Sequence, residues 1–381
     1  MGLSKTLWAT PQDYLRAEEP DTPVMFFSPE VLQATAARFR AGFPGLVTYA
    51  VKANPDPMVL ENLSAAGIAG FDVASPAEIA ALRQIAPDAA LHYNNPVRSR
   101  REIAAAAAAG IRAYSVDSLG ELDKLADLVP PDGVEIAVRL RLPVAGATYD
   151  FGAKFGTDPD HAADLLVRAA AHGFTPSMTF HPGTQCVSAD AWTAYIEASA
   201  DVARRAGVRL ARLNVGGGFP SHRSGPEAPC LDAIFAAIDA ATARAFGAAR
   251  PALLCEPGRA MVAEAFTLAA RVKAVRADGS VFLNDGIYGA MAELPIMGAT
   301  DRIVCLAPDG TRRAGPPARR AVFGPTCDSL DRLPGDPALP ADLAEDDYVL
   351  FAGMGAYSLA TLTGFNGYGA LETATVRRLA G

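Results

Sequence analysis

Lys52 closes the apolar, strand-like run Leu46 to Val51 and stands just before a turn at Asn54-Pro55. An isolated lysine is most often solvated surface. At a strand end on an apolar-walled rim its amine is desolvated, its pKa falls, and it becomes a Schiff-base nucleophile. Two later stretches suit an anion. Gly216-Gly217-Gly218 exposes backbone N–H groups, and Glu256-Pro257-Gly258-Arg259 adds a guanidinium able to make a bidentate contact. His181 and Thr184 share the segment Phe180-His181-Pro182-Gly183-Thr184-Gln185. A hydrogen-bonded core position and a ligand-facing one are about equally expected for that histidine.

These residues need a scaffold that gathers them. Short β-favouring runs near 46–51, 70–73, 90–93, 112–116, 134–140, 176–180, 210–215 and 252–255 alternate with Ala/Leu-rich stretches of helical period, at 57–66, 76–86, 99–109, 118–128, 159–172, 189–206 and 230–246. Ahead of them, Ser28 and Pro29 form an N-cap and first helical position for a helix to about Arg40. The alternation predicts an α/β fold, either a (β/α)8 TIM-like barrel or a long doubly wound sheet. The barrel is favoured because Lys52, Asp72, Asn94, Asp117, Arg139, His181, Gly216 and Glu256 all fall at or just past strand ends, which in a barrel share the rim where active sites are built. Loops after the seventh and eighth strands commonly hold a phosphate there. A lysine, a phosphate cradle and a carboxylate on one rim suggest pyridoxal 5′-phosphate, which needs an aldehyde anchor, a phosphate grip and an acid near its pyridine nitrogen. Glu256 is the natural acid, His181 lies over the ring, and Thr184 offers its hydroxyl to the phosphate.

Past residue 260 the pattern changes to alternating runs, Ala265 to Val272, Ser280 to Asn284, Arg320 to Phe323 and Tyr348 to Ala352, with Gly/Pro-rich turns. This predicts a mostly antiparallel C-terminal β-domain. The expected layout is an N-terminal segment 1–27 joining the β-domain, a cofactor-binding barrel 28–260 and the β-domain 261–381, with an exposed hairpin or loop at Ala307 to Pro317.

Composition limits the alternatives. With 34 basic against 42 acidic side chains the net charge is −8, so nucleic acid and anionic membrane are not expected partners. No apolar run approaches the roughly 20 residues of a membrane helix, and residues 1–12 lack a secretory pattern, so a soluble, cytoplasmic protein is expected. The five cysteines form no C-x-x-C, which argues against a disulfide framework or a metal site.

From about residue 24 to 372 the chain resembles the fold-type III pyridoxal-phosphate decarboxylases, specifically the ornithine decarboxylase-like group that includes lysine, arginine and diaminopimelate decarboxylases. The motifs are Tyr49-Ala50-Val51-Lys52, Phe71-Asp72-Val73-Ala74-Ser75, the His181 and Gly216 segments, Glu256-Pro257-Gly258-Arg259, Asn284-Asp285-Gly286-Ile287-Tyr288-Gly289, Gly324-Pro325-Thr326-Cys327-Asp328-Ser329-Leu330-Asp331 and Met354-Gly355-Ala356-Tyr357. The resemblance implies that Lys52 bonds the cofactor aldehyde, Glu256 pairs with the pyridine nitrogen and His181 stacks on the ring. It implies that Gly216, Gly217, Gly218, Gly258, Arg259, Thr184 and Tyr357 surround the phosphate, with Asp72, Glu78 and Arg139 as supporting polar groups. It further implies a head-to-tail homodimer with shared active sites, in which Cys327 protonates the α-carbon and Asp328 holds the far end of a small amino-acid substrate, ornithine foremost, then lysine or a related diamino acid, as in polyamine biosynthesis.

Two departures bear on substrate. His181 is followed by Pro182-Gly183-Thr184, where the group usually has Val-Gly-Ser. Where ornithine decarboxylases carry Tyr-Asp-His, with a second carboxylate for the distal amine, this chain reads Ile296-Met297-Gly298. Glu293 or Asp301 is a substitute if the loop is shifted. The alternatives are decarboxylation of a modified or non-standard amino acid, an alanine-racemase-like activity, disfavoured by Glu256 and Cys327, and a catalytically silent homologue that binds a partner.

Overall fold

The computed structural model describes residues 6–143, 148 and 153–379. The chain divides into two compact units: Met1–Thr35 with Ser221–Ala228 and Met261–Gly381, and Ala36–Pro220 with Pro229–Ala260.

Strands are numbered along the whole chain, β1 (Leu7–Trp8) and β2 (Val24–Phe27) preceding the barrel. The second unit is a closed parallel barrel of β3 (Leu46–Ala50), β4 (Gly70–Val73), β5 (Ala90–Tyr93), β6 (Ala113–Val116), β7 (Glu135–Leu140), β8 (Thr175–Phe180), β9 (Arg212–Asn214) and β10 (Ala252–Cys255), β10 closing against β3. These are the eight runs expected. Parallel strands packed on both faces read as nearly continuous apolar runs, and all four residues of β4 are buried. Register then aligns the chemistry: Ala50 lies opposite Asp72, and Thr179 opposite Asn214.

The helices start sharply, which fixes the strand ends that precede them. Ser75 Oγ accepts the Glu78 N–H at 3.3 Å, and Ser99 with Glu102 forms a reciprocal capping box. Pro57, Pro76 and Pro159 stand in the first turns of their helices. An aromatic cluster pins the glycine segment from behind, since Phe219 stacks on Trp192 at 5.1 Å and meets Phe39 and Phe235 edge-on at 5.6 and 5.7 Å. Each such buried ring contributes about 1.5–3 kcal/mol relative to exposure.

The first unit is strand-rich. β11 (Phe266–Val275) is its spine, paired antiparallel with β2, β12 (Val281–Leu283) and β17 (Tyr348–Ala352), and β17 in turn pairs antiparallel with β13 (Ile303–Leu306). β14 (Pro317–Arg319) pairs antiparallel with β16 (Ala338–Pro340). Parallel pairs flank this frame: β15 (Val322–Phe323) on β12, β18 (Glu372–Val376) on β2, and β1 on β18. Its core includes Leu15, Val24, Phe26, Leu306, Tyr348 and Val376. The expected loop after β13 opens with a tight turn in which Ala307 N–H donates to Thr311 at 2.8 Å, and Pro317 already begins a strand. Among the described residues no helix is long and apolar enough to cross a membrane.

Candidate active site

Lys52 sits in a 3-10 turn, Val51–Ala53, directly after β3. Its neighbours Val51 and Ala53 are buried while the lysine is exposed, so the turn anchors on its flanks and presents the amine, and the desolvation expected from its place at a strand end is not found. The turn before Arg259 packs onto it: Ala50 N–H donates to Pro257 O at 3.3 Å, and a Cβ on Gly258 would lie 3.1 Å from that of Ala53. Glycine is required for this approach.

Asp72, Glu256 and Arg259 are buried at 4, 8 and 7% exposure, and Arg139 and His181 are partly buried. Burial first, and then Glu256, push Asp72 well above the usual carboxylate range, against the pull of Lys52 and Arg139. Burial also raises Glu256, opposed by Asn214, Lys52, Arg139 and Asn94. Both Asn94 and Asn214 donate their side-chain N–H groups to Glu256 Oε1. His181 is driven well below its ordinary value by burial and then by Lys52 and Arg139, so the imidazole is neutral. Its Nδ1 accepts the Gly183 N–H at 3.1 Å, which puts the ring proton on Nε2.

The glycine segment is more finely divided than its sequence implies. Gly216 has φ +69°, and a Cβ there would collide with Phe180 O. Its N–H is taken by Asn214 Oδ1 at 2.9 Å and its O by Glu256 N–H at 2.8 Å. Among the described residues the N–H groups of Gly217 and Gly218 are the ones left for an anion. A Cβ on Gly217 would lie 2.7 Å from Glu256 O and 3.2 Å from His181 Nε2. Thr184 is partly buried on the same loop as His181. Glu78 does local work: burial raises its carboxyl above the ordinary value, opposed by the Ala74 N–H, which its Oε2 accepts at 2.7 Å, and then by Lys52.

Cys327, Asp328 and Tyr357 belong to the other unit. Cys327 is exposed, and its N–H donates to Asn366 Oδ1 at 3.1 Å. Asp328 accepts Leu330 N–H on Oδ1 at 2.9 Å and the Tyr288 hydroxyl on Oδ2 at 2.5 Å, which hold it below the usual carboxylate range in that order. Asp331, 1% exposed, anchors this loop by accepting Ile287 N–H, Thr326 N–H and Thr326 Oγ1 at 2.9, 3.1 and 2.7 Å. Tyr357 has φ +61°. Met297 ends the short helix Leu294–Met297, preceded by Glu293, and Asp301 Oδ2 accepts the Gly225 N–H at 3.0 Å. The sequence did not single out Asn214, Tyr288 or Asp331 for these roles, and Asn94 appeared there only as a polar strand end.

A barrel rim bearing a lysine, a buried carboxylate clamped by amides, a neutral histidine and a glycine cradle is the donor set of an enzyme built around pyridoxal 5′-phosphate. The residues fit that group: the cradle is closed to any Cβ, and the carboxylate matches a ring nitrogen. The chain belongs to the pyridoxal-dependent decarboxylases, matching their pyridoxal-binding domain over residues 30–263. It is 32% identical to a lysine/ornithine decarboxylase of Selenomonas ruminantium over 92% of this chain and 89% of the relative. It is 33% identical to a chloroplastic ornithine decarboxylase of Nicotiana glauca over 84% of this chain and 75% of that one. The solved lysine/ornithine decarboxylase of Vibrio vulnificus complexed with cadaverine superposes with a TM-score of 0.81 at 28% identity, covering 94% of this chain and 95% of the other. The protein is therefore a pyridoxal-phosphate-dependent amino-acid decarboxylase.

Proposed function

We propose that the chain decarboxylates a basic L-amino acid, ornithine or lysine first among them, to the corresponding amine. The observation that carries the reading is Asp328, held anionic beside Cys327 by Leu330 and Tyr288 and so suited to a cationic distal group. The names of the relatives, ornithine and lysine decarboxylases, agree with it.

When bound, pyridoxal 5′-phosphate supplies an aldehyde for amine exchange and an electron sink for the bond to the departing carbon dioxide. Lys52 is the amine that would hold the aldehyde. Glu256 would hold the ring nitrogen's proton in place, and neutral His181 would face the ring without adding positive charge. Arg259, Thr184, Gly258 and the N–H groups of Gly217 and Gly218 would hold the phosphate, and the resemblance adds Tyr357 of the strand-rich unit to them. The Cys327 thiol donates the proton that replaces carbon dioxide on the α-carbon, and Asp328 fixes the distal amine. Asp72 and Arg139 support the cluster, and Glu78 fixes the turn after β4.

The same reading makes the enzyme a homodimer whose sites combine Lys52 of one subunit with Cys327 of the other, acting in the cytoplasm in polyamine formation. Met297 favours a second substrate class, a longer or modified amino acid, because no carboxylate stands where a second one serves the distal amine in ornithine decarboxylases. Carbon dioxide release across ornithine, lysine, arginine, diaminopimelate and carboxylated polyamines, with leucine and glutamate as substrates lacking a distal cation, decides between them. A best substrate without a distal cation overturns the assignment of Asp328, and no release from any overturns the basic-substrate reading.

A further inference from the structure

Glu256 is reached by side-chain amides from two separate strand ends. Asn94, just past β5, and Asn214, the last residue of β9, both donate Nδ2 to the same oxygen, Oε1. Asn214 has a single orientation, because its Oδ1 accepts the Gly216 N–H at 2.9 Å. Asn94 is held through its backbone, whose O accepts Ser115 Oγ at 2.8 Å. A carboxylate oxygen offers two lone-pair positions, and here both positions on Oε1 face N–H donors. A proton therefore has no place on Oε1. Oε2 takes no hydrogen bond among the described residues.

The surroundings make this asymmetry matter. Lys52, after β3, and Arg139, on β7, favour an anionic Glu256, while Asp72 on β4 competes with it as a second buried carboxyl and Cys255 precedes it on β10. Two nearby carboxyls in a dry site do not both ionise easily. Asp72 accepts no side-chain or backbone N–H among the described residues, whereas Glu256 accepts two. A proton shared by the pair goes to Asp72.

We propose that Asn94 and Asn214 are positioning residues for decarboxylation: by saturating Oε1 they keep Glu256 anionic with Oε2 as its one basic position, and so keep the cofactor's ring nitrogen protonated. This rests on the cofactor reading above. Asn214 also ties the two ends of the cofactor site together, because the Gly216 N–H it takes fixes the start of the segment whose next two N–H groups form the phosphate cradle.

The test loads wild-type, Asn94→Ala and Asn214→Ala protein with pyridoxal 5′-phosphate carrying 15N in the ring, and follows the ring-nitrogen resonance between about pH 6 and 9. The wild type stays protonated throughout, whereas each variant titrates within the range. kcat falls about tenfold for each amide lost, the effect of one hydrogen bond to a charged group, and KM changes little. Variant resonances that track the wild type overturn the proposal. If the variants do not fold, a wild-type ring nitrogen that titrates within the range overturns it equally, and one that stays protonated supports it. A wild-type protein with no visible cofactor band fails the cofactor reading instead.

Discussion

Lys52 and Glu256 were legible because charged residues at the ends of apolar runs are conspicuous, and a barrel puts strand ends on one rim. Asn94 and Asn214 were not, since 162 and 42 residues separate them from Glu256 and only barrel closure brings them to its oxygen. Tyr288 was missed in the same way, 40 residues from Asp328. Lys52→Ala abolishes the visible absorbance of the bound cofactor, measured after adding pyridoxal 5′-phosphate to pure protein. A retained band there shows that another amine holds the aldehyde. Tyr288→Phe acts at the other end of the substrate. It leaves the Leu330 N–H on Asp328 but removes a hydrogen bond to a charged group, so KM for a basic substrate rises roughly tenfold while kcat changes less. Steady-state kinetics with ornithine and lysine read this directly, and an unchanged KM shows that Asp328 needs no support from the tyrosine.

Elements were read well where short apolar strands alternate regularly with helices of clear period. The barrel strands lie within about two residues of the expected bounds, because a buried parallel strand and an amphipathic helix differ in period. In the strand-rich unit β1, β13, β14, β16 and β18 were not, since no intervening helix marks where each strand begins and proline interrupts two of them. The turn after β9 is equally a property of its surroundings. Gly217→Ala sets a Cβ against Glu256 O and His181 Nε2. It should cost about 1–3 kcal/mol and weaken cofactor binding at least tenfold, read by thermal melting and cofactor titration. In the strand-rich unit the turn Asp285 to Ala290 carries a pH dependence. Burial, with Asp331 adding, pushes the Asp285 carboxyl up to about 7, against the N–H groups of Gly286 and Ala290. Unfolded, it titrates near 4. Between those values the native state holds a proton that the unfolded chain has released, so stability falls as pH rises through this window and levels off above about 7. Between pH 5 and 8 the wild type should lose on the order of 2–3 kcal/mol more than Asp285→Asn in urea denaturation. His92, kept neutral by burial and pushed down to about 4, has the opposite dependence and cancels in that difference. Equal pH slopes for the two proteins would falsify the assignment.

For the whole molecule, the residues divide between the two units: Lys52, His181 and Glu256 lie in the barrel, Cys327, Asp328 and Tyr357 in the strand-rich unit. In the proposed reading the Cys327 thiol and Lys52 act on one substrate, and the homodimer supplies them from different subunits. Neither Lys52→Ala nor Cys327→Ala then has a complete site by itself. In an equal mixture allowed to exchange subunits, random association makes about half the dimers heterodimers. Each heterodimer has one site with both substitutions and one with neither, so about a quarter of all sites are intact and activity recovers to roughly 25% of wild type. If each subunit supplied both residues to its own site, every site in the mixture would keep one substitution and nothing would be recovered beyond the sum of the two variants. Subunit exchange is checked independently by native mass spectrometry with one variant isotope-labelled. Confirmed heterodimers without recovered activity sink the shared-site reading while leaving the barrel chemistry intact.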